Sequence, residues 1–178
     1  GCFLSQPRHN FCSGTTMAEN NLKEYVDTKN LTCLNESGDH PFHAAIITDP
    51  SNDKKVESDA DEELLVFVPF TQGVRLTHIS VRGPSNGPRT VKLFSGQKNF
   101  NFDDVAHFKP SQTLKLTQTN IENGDIIPLE TFHFAKLDCV TIFFADNQED
   151  DDVTSLSSIS LFGAPHGSMN MKELKKVG

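Results

Sequence analysis

A chain of 178 residues with 36% hydrophobic and 22% charged content is long enough for one domain with a substantial core and too apolar to stay unfolded. The net charge is −8, and the basic residues are dispersed apart from Lys172, Lys175 and Lys176, which argues against a surface that tracks nucleic-acid phosphates. The chain shows no apolar run of signal-peptide or membrane-spanning length, and its aromatic set of 14 Phe, one Tyr and no Trp suits an interior better than a base- or sugar-stacking platform.

Residues 1–20 lack a sustained apolar period and read as a leader or extension, with Met17-Ala18-Glu19 resembling a translation start. The domain is expected over 21–178, with a C-terminal tail from about residue 166. Leu22, Tyr25 and Val26 have the spacing of a short amphipathic helix. Leu64–Phe70 is a continuous apolar strand ended by Pro69 and Gly73, and Val74–Arg82 is a second strand stopped by the loop 83–88. Thr90–Ser95 alternates, with Val91 and Leu93 on one side and Lys92 and Phe94 on the other. A short strand follows at 113–116, then an Asn123-Gly124 turn before Ile126 and Ile127. Thr131–Ala135 reads as a strand with Phe132 and Phe134 on one face. Cys139–Ala145 sets Val140, Ile142 and Phe144 against Thr141 and Phe143, and Leu156–Gly163 closes the series. Short strands separated by Gly, Pro and Asn, without long helical periods for crossovers, predict an all-β antiparallel sandwich with minor helix.

The acidic segment preceding Leu64 stands out. Five carboxylates fall within the seven residues Glu57–Glu63 and lead directly into the apolar strand. If extended, Glu57, Asp59 and Asp61 would align on one side, either as a docking strip for a basic partner or as a hydrated edge that discourages strand pairing. A Ca²⁺ site is a further reading, but an EF-hand fails because Leu64 stands where the loop needs Gly, which leaves a non-EF cation site as the minor alternative. A second acidic run, Asp146–Asp152, reads as a mobile, hydrated loop.

The remaining chemistry-bearing residues point to no reaction. Cys33, His40 and His43 fall short of a four-ligand zinc set, and Cys33 reads as a buried small hydrophobe. No Gly-x-Ser-x-Gly elbow occurs, and His133 sits within an apolar alternation. Cys2, Cys12, Cys33 and Cys139 contain no Cys-x-x-Cys pair, so a reducing compartment is expected. The sequons at Asn30 and Asn35 then read as chance matches. We expect no catalytic residue, metal or cofactor.

Thr32-Cys33-Leu34-Asn35-Glu36-Ser37 and Val56–Leu65 resemble the two signature stretches of the PITH domain, a module found C-terminal to thioredoxin in thioredoxin-like proteins. Further likeness lies in Pro69-Phe70, Val74-Arg75-Leu76, Gly87–Phe94, Phe102-Asp103-Asp104, Ile127-Pro128-Leu129, Val140–Phe143 and Met169–Lys176, spanning roughly Leu22 to Val177. The resemblance implies a galactose-binding-like jelly-roll sandwich, and a monomeric adaptor of cytosol and nucleus that associates with the regulatory particle of the 26S proteasome. The thioredoxin Cys-Gly-Pro-Cys is not in this chain, so oxidoreductase activity is not implied. Glu57, Ser58, Asp59, Asp61, Glu62 and Glu63 are the candidate partner-binding residues. The alternatives are a small-ligand or carbohydrate module using the loops 83–88 and 146–152, and a redox accessory acting through Cys33 or Cys139.

Overall fold

The computed structural model describes residues 20–167. The readings for Met17, Cys2, Cys12 and Met169–Lys176 lie outside the described residues.

Among the described residues, ten strands and three short α-helices follow one another: β1 (Asn20–Asn21), β2 (Thr32–Leu34), α1 (Ala45–Thr48), β3 (Val56–Glu57), β4 (Leu64–Arg82), β5 (Thr90–Ser95), α2 (Phe102–His107), β6 (Gln112–Lys115), α3 (Gln118–Asn123), β7 (Ile127–Pro128), β8 (Leu137–Phe144), β9 (Ser155–Leu156) and β10 (Ser158–Pro165). Every pairing is antiparallel. The amphipathic spacing at Leu22 becomes a single 3-10 turn, Leu22–Tyr25, capped by the Asn21 side chain, with Leu22 buried.

β4 organises the fold. Drawn straight, its 19 residues would reach about 60 Å. Both of its ends nevertheless meet at one pole. Leu64 pairs with Phe144 and Arg82 pairs with Ser158. The junction between the loop after β8 and β9 bonds to both neighbourhoods, through Thr154 Oγ1 to the Glu62 carbonyl and Ser155 N–H to the Asn86 carbonyl. The strand therefore folds over midway. Pro69 faces Cys139 and Val74 faces Leu137, so residues 70–73 stand against Asp138 alone. Pro69 has no N–H for the ladder and Gly73 carries no side chain, which places the break there. Instead of two strands parted by Pro69 and Gly73, the chain builds one strand shared by two layers.

The first half of β4 lies between β2 and β8, with β5 and β6 beyond, whereas the second half lies between β10 and β7. Their inner faces meet in one core: Val66 and Val68, Val91 and Leu93, Val140, Ile142 and Phe144 against Leu76, Ile79, Ile159 and Leu161. A second bulge sits within β4. Leu76 faces Gly163 and His78 faces Phe162, so Thr77 is the extra residue and the inward set switches from Val74 and Leu76 to Ile79 and Val81. The outer face of the first layer is covered separately. Leu65, Phe94 and Phe143 are buried beneath Phe100, Phe102 and Val105, the last two on α2, whose Asn101–Asp104 capping box fixes its start.

Thr131–Ala135 departs from its predicted strand. Thr131–Phe134 is a 3-10 turn in which Phe134 is fully buried and Phe132 is 79% exposed. At about 120° per residue, positions two apart face different ways, so five alternating residues do not separate a strand from a tight turn. Asn123-Gly124 is likewise the end of α3, with Gly124 at φ 65 as a left-handed cap.

At Gly163 an added Cβ would run into the Arg75 backbone carbonyl across the bulge. Gly163→Ala is expected to cost ~3 kcal/mol in urea unfolding, since the obstruction is main chain and cannot swing away.

Candidate protein-interaction surface

The pole where both ends of β4 meet gathers the two acidic runs. Glu57 closes β3, opposite Ser155 of β9. The chain then turns through 59–62 before entering β4, so the carboxylates do not form the extended line the alternation predicts. Ser58 is buried, and its Oγ accepts the Thr154 N–H at 2.9 Å. Thr154 Oγ1 in turn donates to the Glu62 carbonyl at 2.6 Å. These bonds join segments more than 90 residues apart and set 57–63 beside 146–152.

Asn35 holds the first run in shape. It sits at φ 66, a conformation that Asn tolerates better than most residues. Its Nδ2 donates to Asp61 Oδ1 at 2.8 Å and to the Glu63 carbonyl at 2.7 Å, while its Oδ1 accepts the Ala60 N–H at 3.0 Å. Its own carbonyl accepts the Asp59 N–H. One amide therefore ties the segment 32–37 to 59–63, and the nitrogen a glycan would need is already engaged.

Asn147 does the same for the second run. Fully buried, it donates to the Asp151 carbonyl at 2.7 Å and to Thr154 Oγ1 at 3.1 Å, and accepts the N–H groups of Glu149 and Asp151. Gln148 Nε2 reaches the carbonyls of Pro88 and Leu116. Arg89 bridges Asp146 at 3.1 Å and Asp150 at 2.5 Å. The mobile loop read from the charges is thus a knotted one, because the residues placed among its acids are hydrogen-bonding amides.

Each predicted site residue has a definite place. Asp59 and Asp61 are exposed, Glu62 and Glu63 are half-buried, and Ser58 is interior. Glu57 is held by Lys55 at 2.6 Å, with His40 at 3.5 Å, beside an open groove of about 480 Å³ lined by His40, His43, Asp53, Lys55 and Ser157. Sequence reasoning missed the partnership of the second run, whose Glu149, Asp150, Asp151 and Asp152 are exposed on the same pole. Six exposed carboxylates in all face water there, with Arg89 and Lys55 consumed in ion pairs.

Local fields act on individual groups. The hydrogen bond from Lys55 lowers the Glu57 carboxyl despite partial burial. Burial, reinforced by Asp61 and Glu62, raises the Glu63 carboxyl. For Asp146, partial burial pushes upward, but the Thr90 N–H at 2.7 Å and Arg89 together outweigh it and the net shift is downward. Burial pushes the Cys33 thiol up to about 12 and also raises Cys139, so neither holds a reactive thiolate. Among the described residues no group of three or more His, Cys, Asp or Glu side chains gathers as a metal would require. His133 sits on the 3-10 turn at 3.5 Å from Glu130, while the Cys139 thiol is turned to the Gln97 carbonyl.

The match to the PITH domain family covers residues 13–178. The chain belongs to the PITH domain family. It is 32% identical over 162 residues to thioredoxin-like protein 1 of Schizosaccharomyces pombe, covering 88% of this chain and 55% of that protein. It is also 32% identical over 150 residues to a PITH domain-containing protein of Drosophila melanogaster, covering 82% of this chain and 70% of that one. The chain thus spans little more than half of the yeast protein, and the fly relative is named for its domain, not for a catalytic activity. Among solved structures, a family 32 carbohydrate-binding module of Clostridium perfringens NanJ in complex with galactose superposes with a TM-score of 0.56 at 9% identity, covering 78% of this chain and 98% of that one. That likeness shows a galactose-binding-like jelly roll, the form the PITH resemblance implies and one that agrees with the antiparallel sandwich read from the strands.

Asn147→Ala should cost ~3 kcal/mol, because it leaves buried partners unsatisfied, and should speed hydrogen exchange across 146–154 more than elsewhere. Asp146 is lowered from 3.8, so its stabilising effect is present above that value and lost as the pH falls through the lower folded one. Thermal melts at stepped pH should therefore show Asp146→Asn with a shallower acid-side loss of Tm and an unchanged slope near neutrality.

Proposed function

We propose that this PITH domain is a non-enzymatic interaction module of cytosol and nucleus, docking through its acidic pole onto a basic surface of the 26S proteasome regulatory particle. One observation carries the reading. Two acidic runs far apart in sequence are brought to one pole, and the buried side chains that hold them there, Ser58, Asn147 and Thr154, are uncharged. Most of the carboxylates are left facing water. Such a patch steers a basic partner and fixes its orientation, with an influence that fades beyond ~10 Å at moderate salt.

The carbohydrate reading has the fold on its side. Its two loops, however, are closed against each other. Gln148 N–H bonds the Gly87 carbonyl, Arg89 N–H bonds the Asp146 carbonyl, and Gln148 fills the space beneath. The large aromatic side chains exposed among the described residues, Phe108 and Phe132, are not on these loops. The redox reading is disfavoured by the buried, protonated thiols of Cys33 and Cys139.

Asp59, Glu149 and Asp152 are exposed side chains whose reversal leaves the Asn35 and Asn147 ties in place. The triple substitution Asp59→Lys, Glu149→Lys, Asp152→Lys should reduce capture of regulatory-particle subunits by roughly tenfold or more with Tm nearly unchanged, and wild-type capture should weaken with added salt. Equal capture by the two proteins would remove the acidic pole as the contact. A stabilising shift across a glycan panel would favour the sugar module instead.

A further inference from the structure

β6 is an edge of the first layer: among the described residues it pairs with β5 and with no strand on its other side. The direction of its main-chain groups follows from the ladder. The Thr90 carbonyl accepts the Ala145 N–H at 3.0 Å, which turns the main-chain groups of Thr90 and Lys92 toward β8 and those of Val91 and Leu93 toward β6. Leu114 and Gln112 stand opposite Val91 and Leu93 and close that side. The N–H and C=O groups of Thr113 and Lys115 therefore point out of the sheet, and both residues are exposed.

The space beside this edge is shaped. An open groove of about 590 Å³ runs past Thr113, with Lys109 and Gln112 on the strand side and Glu130 and His133 on the other. The Glu130 N–H donates to Gln112 Oε1 at 2.8 Å, so the turn at 131–134 is tied to the strand and the groove is preformed. Phe134 is fully buried and anchors that turn, whereas Phe132 is 79% exposed, its ring centroid 4.3 Å from that of His133. β6 has only four residues, and Pro110 just before it has no N–H to lengthen the edge. Such an edge suits one short segment, not an open-ended stack of strands. Lys109 borders the groove, and Lys115 Nζ keeps its charge beside the strand while bonding Thr90 Oγ1 at 2.6 Å. Together they outweigh Glu130 and favour an acidic occupant over a basic one.

We propose that β6 accepts an extended segment of a partner chain as an added strand, with main-chain bonds to Thr113 and Lys115, an apolar side chain laid on Phe132 and a carboxylate beside Lys109. In this mode the main chain supplies affinity and alternate side chains supply selectivity. The acidic pole would repel such a segment, so the two surfaces take opposite chemistries and this edge does not depend on the proteasome reading.

Heptapeptides selected from a random display library on the full chain should include members rich in apolar and acidic residues. One of these, made synthetically and followed by fluorescence anisotropy, should bind at least ~fivefold more weakly to Thr113→Pro, which removes an outward N–H and no ladder bond. Methylating the peptide's main-chain nitrogens at every second position should abolish binding in one phase of the alternation and spare it in the other, a pattern that side-chain docking alone does not give. Phe132→Ser should weaken the same peptide with Tm nearly unchanged, since the ring is exposed. If no selected peptide responds to Thr113→Pro or to the phase of methylation, the proposal is overturned. A dimer in sedimentation that Thr113→Pro dissolves would assign the edge to a second copy and overturn it equally.

Discussion

One strand has to satisfy two layers at once, and the rest of the molecule follows from how it does so. β4 contributes Val66 and Val68 to one inner face and Leu76, Ile79 and Val81 to the other. A strand with strict alternation cannot do this while bending, because its side chains would fall out of phase with the core. The irregularities at 70–73 and at Thr77 absorb the mismatch. They also return the far end of β4 to the pole where the Leu64–Phe144 pairing already makes neighbours of the two acidic runs, so the loop 83–88 joins them there.

At that pole, like charges are held together by groups that bear none. Close carboxylates repel, and burying them to hold the loops would cost far more than hydrogen-bonding an amide or hydroxyl. The structure separates the tasks. Asn35, Ser58, Asn147, Gln148 and Thr154 carry the internal bonds, whereas Asp59, Glu149, Asp151 and Asp152 keep their water. Glu63, raised by its partial burial and further by its acidic neighbours, marks where this separation is incomplete.

The legible part of the fold was the part governed by a period of two. β5 has the bounds that alternation predicts, β8 sets Val140, Ile142 and Phe144 inward, and Cys33 is the buried hydrophobe its setting suggests. The helices escaped notice because, at four to six residues, none completes two turns of a 3.6-residue period. Their evidence lay in the caps, Asn101 with Asp104 and Thr117 with Asn120, which do not follow the usual Ser/Thr to Glu/Gln pattern. Of the candidate site, the first acidic run was visible, but its alliance with the second was not, since no local pattern encodes contact across 90 residues. A signal did exist within 146–152. Two adjacent amides amid five carboxylates are poorly explained by hydration alone, and they prove to be the knot.

β1 lies beside β10, with Asn20 opposite Gly163, so the described chain begins and finishes on the same flank. That flank is remote from the carboxylates. The outer edge of β10 is therefore covered by β1 and offers no free strand there for another chain to pair with.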